Sequence, residues 1–300
     1  MRFLAIGECM AELAPASKPG DYHLGFAGDT FNTAWYLARV GPEDCRVSYF
    51  SAIGQDEISR QMRDAISAGG IDTEYLLEVA DQTVGLYLIS LNNGERSFSY
   101  WRGQSAARHL ADDPGSLRRA MENSDVIYFS GITLAILEEA TRDTLFDALG
   151  AARASGKMIA FDPNLRPGLW PSPECMKEAV MQGAAVSDIS LPSFEDEASW
   201  FGDADPEATA ERYAAAGVDT VVVKNGAGPV LYRQSSECGV CEVPEVADVV
   251  DTTAAGDSFN AGVLAGLMEN RSLWDSVSLG CRLAGKVVQG RGALVPVDRP

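Results

Sequence analysis

The 300-residue sequence predicts an α/β fold: a mostly parallel central sheet flanked by helices, with a small β-sheet lid. Three observations carry this reading. Short apolar runs alternate with stretches of helical periodicity, the order that builds parallel sheets. One hairpin interrupts that alternation. Near the C-terminus, Val250-Asp251-Thr252-Thr253-Ala254-Ala255-Gly256-Asp257-Ser258-Phe259-Asn260-Ala261-Gly262 sets small residues and a carboxylate where a helix begins.

Phe3-Leu-Ala-Ile-Gly7 is a short apolar run closed by glycine, as in a buried first strand, and Glu8-Cys-Met-Ala-Glu-Leu13 continues extended. From Gly25 to Arg39, Phe31, Ala34, Trp35 and Ala38 recur at helical spacing, with Asp29 and Thr30 as N-cap candidates. An Asp29/Asn32 pair on that first turn could instead hydrogen-bond ligand hydroxyls. Residues 47–54 read as a strand. Residues 56–68 read as a helix turned inward through Ile58, Met62, Ala65 and Ile66 and stopped by Gly69-Gly70.

The hairpin comprises 83–91 and 96–102 around Asn92-Asn-Gly-Glu95. Phe98, Tyr100 and Arg102 share one face through the two-residue period, and Tyr87 on the partner strand can join them. A hairpin placed here is a candidate lid.

Strands at 125–130 and 157–162 bracket a helix from about 138 to 154. Ligands bind at the loops after such strands in open α/β sheets, which places Asp162, Asn164 and Arg166 for chemistry. Residues 186–192 read as a strand and Ser193-Phe-Glu-Asp196-Glu197 as a capped helix start. Strand 220–224 ends in Asn225-Gly226-Ala227-Gly228, a turn able to approach a nucleotide. A helix from about 273 to 289 precedes the loop at Gly290-Arg-Gly292.

In the 250–262 stretch, Ala255, Phe259, Val263 and Leu267 fall four apart, so a helix starts near Ala254 with Asp251, Thr252 and Thr253 as its capping residues. Its free amides and dipole make a site for phosphate or a developing anion. Asp257 stands beside that site. A general base next to an anion hole suits phosphoryl transfer to a hydroxyl, although an acid there also simply favours the dipole.

Composition narrows the rest. With 46% apolar and 22% charged residues the chain is that of a folded globular protein, and a net charge of −19 without basic clusters excludes a nucleic-acid surface. No apolar run approaches the ~20 residues of a membrane span. Met1-Arg2 leads straight into a strand, so a cytoplasmic location without membrane partners is expected. The six cysteines read as reduced thiols. Cys238-Gly-Val-Cys241 lacks the second pair or nearby histidines that zinc requires. Gly150–Lys157 has the wrong spacing for a Walker loop and precedes a strand. Gly7 has no partner glycines for a dinucleotide turn.

Asp251-Thr-Thr-Ala-Ala-Gly-Asp257-Ser-Phe resembles the C-terminal signature of the ribokinase-like sugar kinases. The resemblance runs nearly the whole chain, through Ile6–Met10, Gly28–Thr33, Gly94–Arg102, Ser130–Ile136, Phe161–Pro167 and Val222–Gly226. It is strongest to the branch that phosphorylates 2-keto-3-deoxy sugar acids. The resemblance implies a single ribokinase-like domain over 1–300, with lid segments inserted at about 8–27 and 83–104. It implies transfer of the ATP γ-phosphate to the acid's terminal hydroxyl, with Mg²⁺ as cofactor, and leaves a monovalent cation open.

By the same resemblance Asp257 is the base, and the amides of Ala254, Ala255 and Gly256 form the anion hole. Gly28, Asp29 and Asn32 meet the substrate hydroxyls. Arg102 and Arg166 hold the carboxylate, with Tyr87 and Tyr100 beside it, since an acid end asks for bidentate arginine. ATP lies across Asn164, Lys224, Gly226, Gly228 and Thr252, and Asp196 serves the metal through water. Two departures stand out: Ala27 replaces the family's first glycine, and Ser193…Asp196 replaces its Asn-x-x-Glu. A kinase for a neutral sugar of fructose or ribose type, or a catalytically silent sugar-acid sensor, are the other readings. A homo-oligomer is expected, because exposed lid edges pair.

Overall fold

The computed structural model describes residues 1–18, 20–92, 95–235 and 237–298. Strand β1 (Arg2–Ile6) leads into β2 (Met10–Pro15) and β3 (Tyr22–Ala27), then α1 (Asp29–Val40), β4 (Arg46–Ile53), α2 (Glu57–Ala68) and the short β5 (Leu76–Glu78). The hairpin strands are β6 (Gly85–Asn92) and β7 (Glu95–Trp101); the expected Asn93-Gly94 turn lies outside the described residues. There follow α3 (Pro114–Glu122), β8 (Val126–Ser130), α4 (Gly131–Ile136), α5 (Glu139–Ala154), β9 (Met158–Asp162) and α6 (Pro173–Ala185). The chain continues through β10 (Ile189–Ser190), α7 (Phe194–Phe201), α8 (Pro206–Ala215), β11 (Thr220–Val223), β12 (Val230–Gln234), β13 (Glu237–Cys241), α9 (Ala255–Met268) and α10 (Leu273–Val287).

Nine strands form one sheet in the order β13-β12-β11-β10-β9-β8-β1-β4-β5. Pairing is parallel from β5 to β11 and antiparallel for the last two strands. Because its strands are buried on both faces, alternate side chains feed two cores. Phe3, Ala5, Tyr49 and Tyr128 pack with α1, α9 and α10 on one face. Leu4, Ile6, Phe50 and Phe161 pack with α3, α5 and α6 on the other. α9 and α10 approach closely at Gly262 and Gly280, where a Cβ on Gly262 would lie 2.6 Å from Gly280 Cα.

A separate four-stranded sheet, β3-β2-β6-β7, holds the hairpin and the residues that follow β1. β2 pairs in parallel with β6, so the two lid segments expected from the sequence lie in one sheet. Among the described residues no helix is long and apolar enough to cross a membrane.

Several local expectations are corrected. Asp29 and Thr30 do not cap α1: Gly28 is the N-cap, in extended backbone, and no side chain caps the helix. The Asp29 carboxylate instead accepts from Asn164 Nδ2 at 2.8 Å, and Thr30 shares a hydrogen bond with the Tyr49 hydroxyl. α9 begins at Ala255 with Ala254 as an uncapped N-cap residue. Asp251 is occupied elsewhere, accepting from Thr253 and from the Gly292 amide. Ser193 precedes α7 without a capping hydrogen bond. Of the strand expected at 186–192, only Ile189–Ser190 pairs.

Candidate active site

α1 and α9 lie side by side, and both begin at a cleft of about 1430 Å³. The four-stranded sheet, the loops after β9, β11 and β13, and α10 supply its other walls. Asp257, in the first turn of α9, meets the first turn of α1: Asn32 Nδ2 donates to Asp257 Oδ2 at 2.8 Å, and the Thr33 hydroxyl donates to Asp257 O at 3.2 Å. The Asp257 carboxyl is pushed up to about 8, chiefly by burial and then by the neighbouring Asp29 charge, while the Asn32 hydrogen bond and Lys224 oppose the shift.

Ala254 has a left-handed backbone, φ 58°, which turns the chain sharply into the helix. The amides of Ala254, Gly256 and Asp257 have no hydrogen-bond partner among the described residues, as expected of a helix start. Ala255 differs from expectation, since its N–H donates to Thr252 O at 3.1 Å and is spent in the turn. Lys224 reaches the same place: a Cβ on Gly256 would stand 3.7 Å from its Nζ. That ammonium is held by Asp162 Oδ2 at 2.9 Å and Asn260 Oδ1 at 3.3 Å.

At the lid end, Gly28 lies against the backbone where β1 passes into β2, and a Cβ there would come within 2.1 Å of Glu8 O. Ala27 sits in the β2–β3 ladder opposite Met10, outside the left-handed region, so its methyl is accommodated. Tyr87 and Tyr100 face each other with ring centres 5.9 Å apart, and the Tyr87 hydroxyl donates to Glu12, which with burial pushes its pKa up.

The two arginines line the cleft in different states. Arg102 is ion-paired to the buried Glu8, which also accepts from Ser105, and Arg102 Nε is buried without a partner among the described residues. Burial pushes the Glu8 carboxyl up against the opposing pull of Arg102. Arg166 is about half exposed, and its Nη1 stands 3.8 Å from Asp196 Oδ2.

At the other end, the Gly226 turn and an apolar wall of Val243, Val246, Val249, Ala284 and Val288 make a slot. Gly228 does not line it. Its amide closes the turn onto Asn225 O at 2.8 Å, and Ala227 takes the lining position. Thr252 and Asn164 do line the cleft.

Asp29, Asp162, Glu195, Asp196, Glu245 and Asp257 face the cleft against Arg102, Arg166 and Lys224. A polyphosphate entering so acidic a space needs a divalent cation. Among the described residues no three His, Cys, Asp or Glu side chains gather as a ligand set. Asp196 and Asp162 line the cleft as carboxylates able to hold a hard cation through its water. Burial raises the Asp196 carboxyl and Arg166 opposes that shift.

Sequence reasoning missed the buried partners of Lys224 and the apolar slot. Asn260 was visible as the last polar residue before the apolar remainder of α9, three positions after Asp257. The valines come from a loop and from α10, and no local pattern joins them.

The layered sheet, its lid and the helix-start acid are those of a ribokinase-like sugar kinase. The chain belongs to the pfkB family of carbohydrate kinases, whose pattern it matches over residues 2–299. It is 40% identical over 297 residues to a Haemophilus influenzae protein named 2-dehydro-3-deoxygluconokinase, covering 97% of this chain and 94% of the relative. A Dickeya dadantii protein of the same name is 39% identical over 301 residues, covering 98% and 96%. The crystal structure of a PfkB protein from a Polaromonas species superposes with a TM-score of 0.84 at 29% identity, covering 97% and 96% of the two chains. Kinases of this family use ATP.

Proposed function

We propose that the protein transfers the γ-phosphate of ATP to the terminal hydroxyl of 2-keto-3-deoxygluconate (2-dehydro-3-deoxygluconate), giving 2-keto-3-deoxy-6-phosphogluconate. The observation that carries the chemistry is the position of Asp257, held by Asn32 beside the unpartnered amides at the start of α9. The substrate reading is supported by the relatives' shared name and by the two arginines of the cleft.

Asp257 accepts the proton of the attacking hydroxyl as the new O–P bond forms and the bond from the γ-phosphorus to the bridging oxygen breaks, with ADP leaving. Asp29 and Asn32 hold the substrate hydroxyls, and Gly28 leaves room for them. Amides of Ala254 and Gly256, with Lys224, meet the charge that develops on the transferring group; each well-aimed donor contributes about 3 kcal/mol. Arg166, with the weaker existing tie, takes most of the carboxylate, and Arg102 backs it beside Tyr87 and Tyr100. ATP lies with its base in the valine slot and its phosphates along Gly226, Asn164, Thr252 and Lys224. Asp196 and Asp162 would hold Mg²⁺ through its water shell, and the ion would supply neutralisation of phosphate charge. The lid excludes water that would otherwise accept the phosphate.

The lid leaves Tyr22, Leu24 and Trp101 exposed, apolar surface that pairing of lids in a homo-oligomer would cover. A cytoplasmic location fits the use of ATP.

An ADP-release assay on 2-keto-3-deoxygluconate, fructose and ribose tests the reading. A preference for the acid of at least about tenfold in kcat/KM supports it. A preference for a neutral sugar reassigns the substrate, and sugar-acid binding without ADP release leaves a sensor.

A further inference from the structure

Lys224 is an ammonium among carboxylates, and its flexible stem alone does not fix where its charge sits. What fixes it is buried beneath the cleft. Asp162 Oδ2 accepts from Lys224 Nζ at 2.9 Å and from Asn260 Nδ2 at 2.6 Å, while Asn260 Oδ1 accepts from the same ammonium at 3.3 Å. Asn260 is fully buried and its Nδ2 also donates to the Tyr128 hydroxyl at 3.1 Å. Tyr128 accepts in turn from Thr33, whose hydroxyl also reaches Asp257 O.

One planar amide thus bridges both members of an ion pair, giving a donor to the carboxylate and an acceptor to the ammonium. An aliphatic side chain would serve neither, and a second carboxylate would stand against Asp162. Asn260 also lies on α9 one turn beyond the anion site, so the helix that presents the amides and the base carries the clamp for the lysine.

We propose that Asn260 is a positioning residue for phosphoryl transfer, holding the Asp162–Lys224 pair in register with the amides at the start of α9. It is buried and does not line the cleft, and it acts through Lys224. The inference rests on the kinase reading above and adds a residue to it.

A double-mutant cycle of Asn260→Ala and Lys224→Met tests it, read as kcat, as KM for each substrate and as Mg·ATP affinity by calorimetry. Asn260→Ala is expected to lower kcat by about 10- to 100-fold with the sugar-acid KM within about twofold, and to weaken Mg·ATP binding in step with Lys224→Met. In the Lys224→Met background the same substitution is expected to change both readouts by less than about twofold. Effects that multiply independently, or a loss shared equally by sugar-acid KM and thermal stability, would overturn the role. Should Asn260→Ala fold poorly, Asn260→Ser enters the same cycle. Absence of ADP release by the wild-type protein would remove the kinase reading instead, and the calorimetric cycle would still decide whether Asn260 acts through Lys224.

Discussion

Asn32 donates its side-chain amide to Asp257 Oδ2 at 2.8 Å, joining the first turns of α1 and α9 across 225 positions of sequence. The bond does two things. It fixes the direction of the carboxylate, and by favouring the charged form it opposes the burial and the Asp29 charge that together push the Asp257 pKa up to about 8.

Activity should therefore rise with pH as Asp257 loses its proton, with an inflection well above the ordinary carboxylate range. Asn32→Ala removes the opposing hydrogen bond and should move that inflection upward while lowering kcat/KM about 10- to 100-fold. A pH profile of kcat/KM for the sugar acid checks this. An unmoved inflection would detach Asn32 from the titration.

The same shift predicts a stability change. Asp257 binds its proton more tightly folded than unfolded, where its pKa is about 3.9. Its contribution to stability is thus fully present below that value and is lost as pH rises through about 8. Asp257→Asn, which carries no charge, should be more stable than wild type at pH 9 by about 1–3 kcal/mol, with the gap closing towards pH 4. Thermal melts across that range measure it.

The two arginines should separate by stability. Arg166→Met removes a half-exposed group held by one loose ion pair and a hydrogen bond to Leu165 O, and should raise the sugar-acid KM about tenfold or more at little change in Tm. Arg102→Met leaves the buried Glu8 carboxylate without its cation and should also destabilise the fold, by about 3 kcal/mol. Equal melting temperatures for the two variants would contradict the assignment of Arg102 to a buried pair.

Gly28→Ala should be poorly tolerated, because the added methyl would meet Glu8 O at 2.1 Å. The backbone between β1 and β2 would have to move, at a cost of about 1–3 kcal/mol or more. Denaturant unfolding reads the loss.

Periodicity made most of the parallel strands, though not β5, the hairpin and the helices α1, α2, α5, α9 and α10 legible, since their apolar spacing is local. It left α3, α4, α6 and α8 unassigned and did not separate β3 from the turn before α1. The cap residues misled for a common reason: Asp29 and Asp251 have partners distant in sequence, Asn164 and Gly292, that outcompete the helix amides. The start of α9 was readable as a motif, yet the spending of the Ala255 amide depends on the left-handed turn at Ala254, which no propensity for alanine suggests. Arg102 was readable as a cation facing the cleft. That Glu8 already holds it required knowing that the residues after β1 run beside the end of β7.

Asp257, as the group that takes the hydroxyl's proton, is the centre of the proposed mechanism. Single-turnover transfer from Mg·ATP to 2-keto-3-deoxygluconate by Asp257→Asn, with ATP affinity measured alongside, tests it most directly. The expected result is a fall in rate of roughly a hundredfold or more, with ATP binding within about threefold of wild type. A near-normal transfer rate would contradict the account and remove Asp257 from the base role.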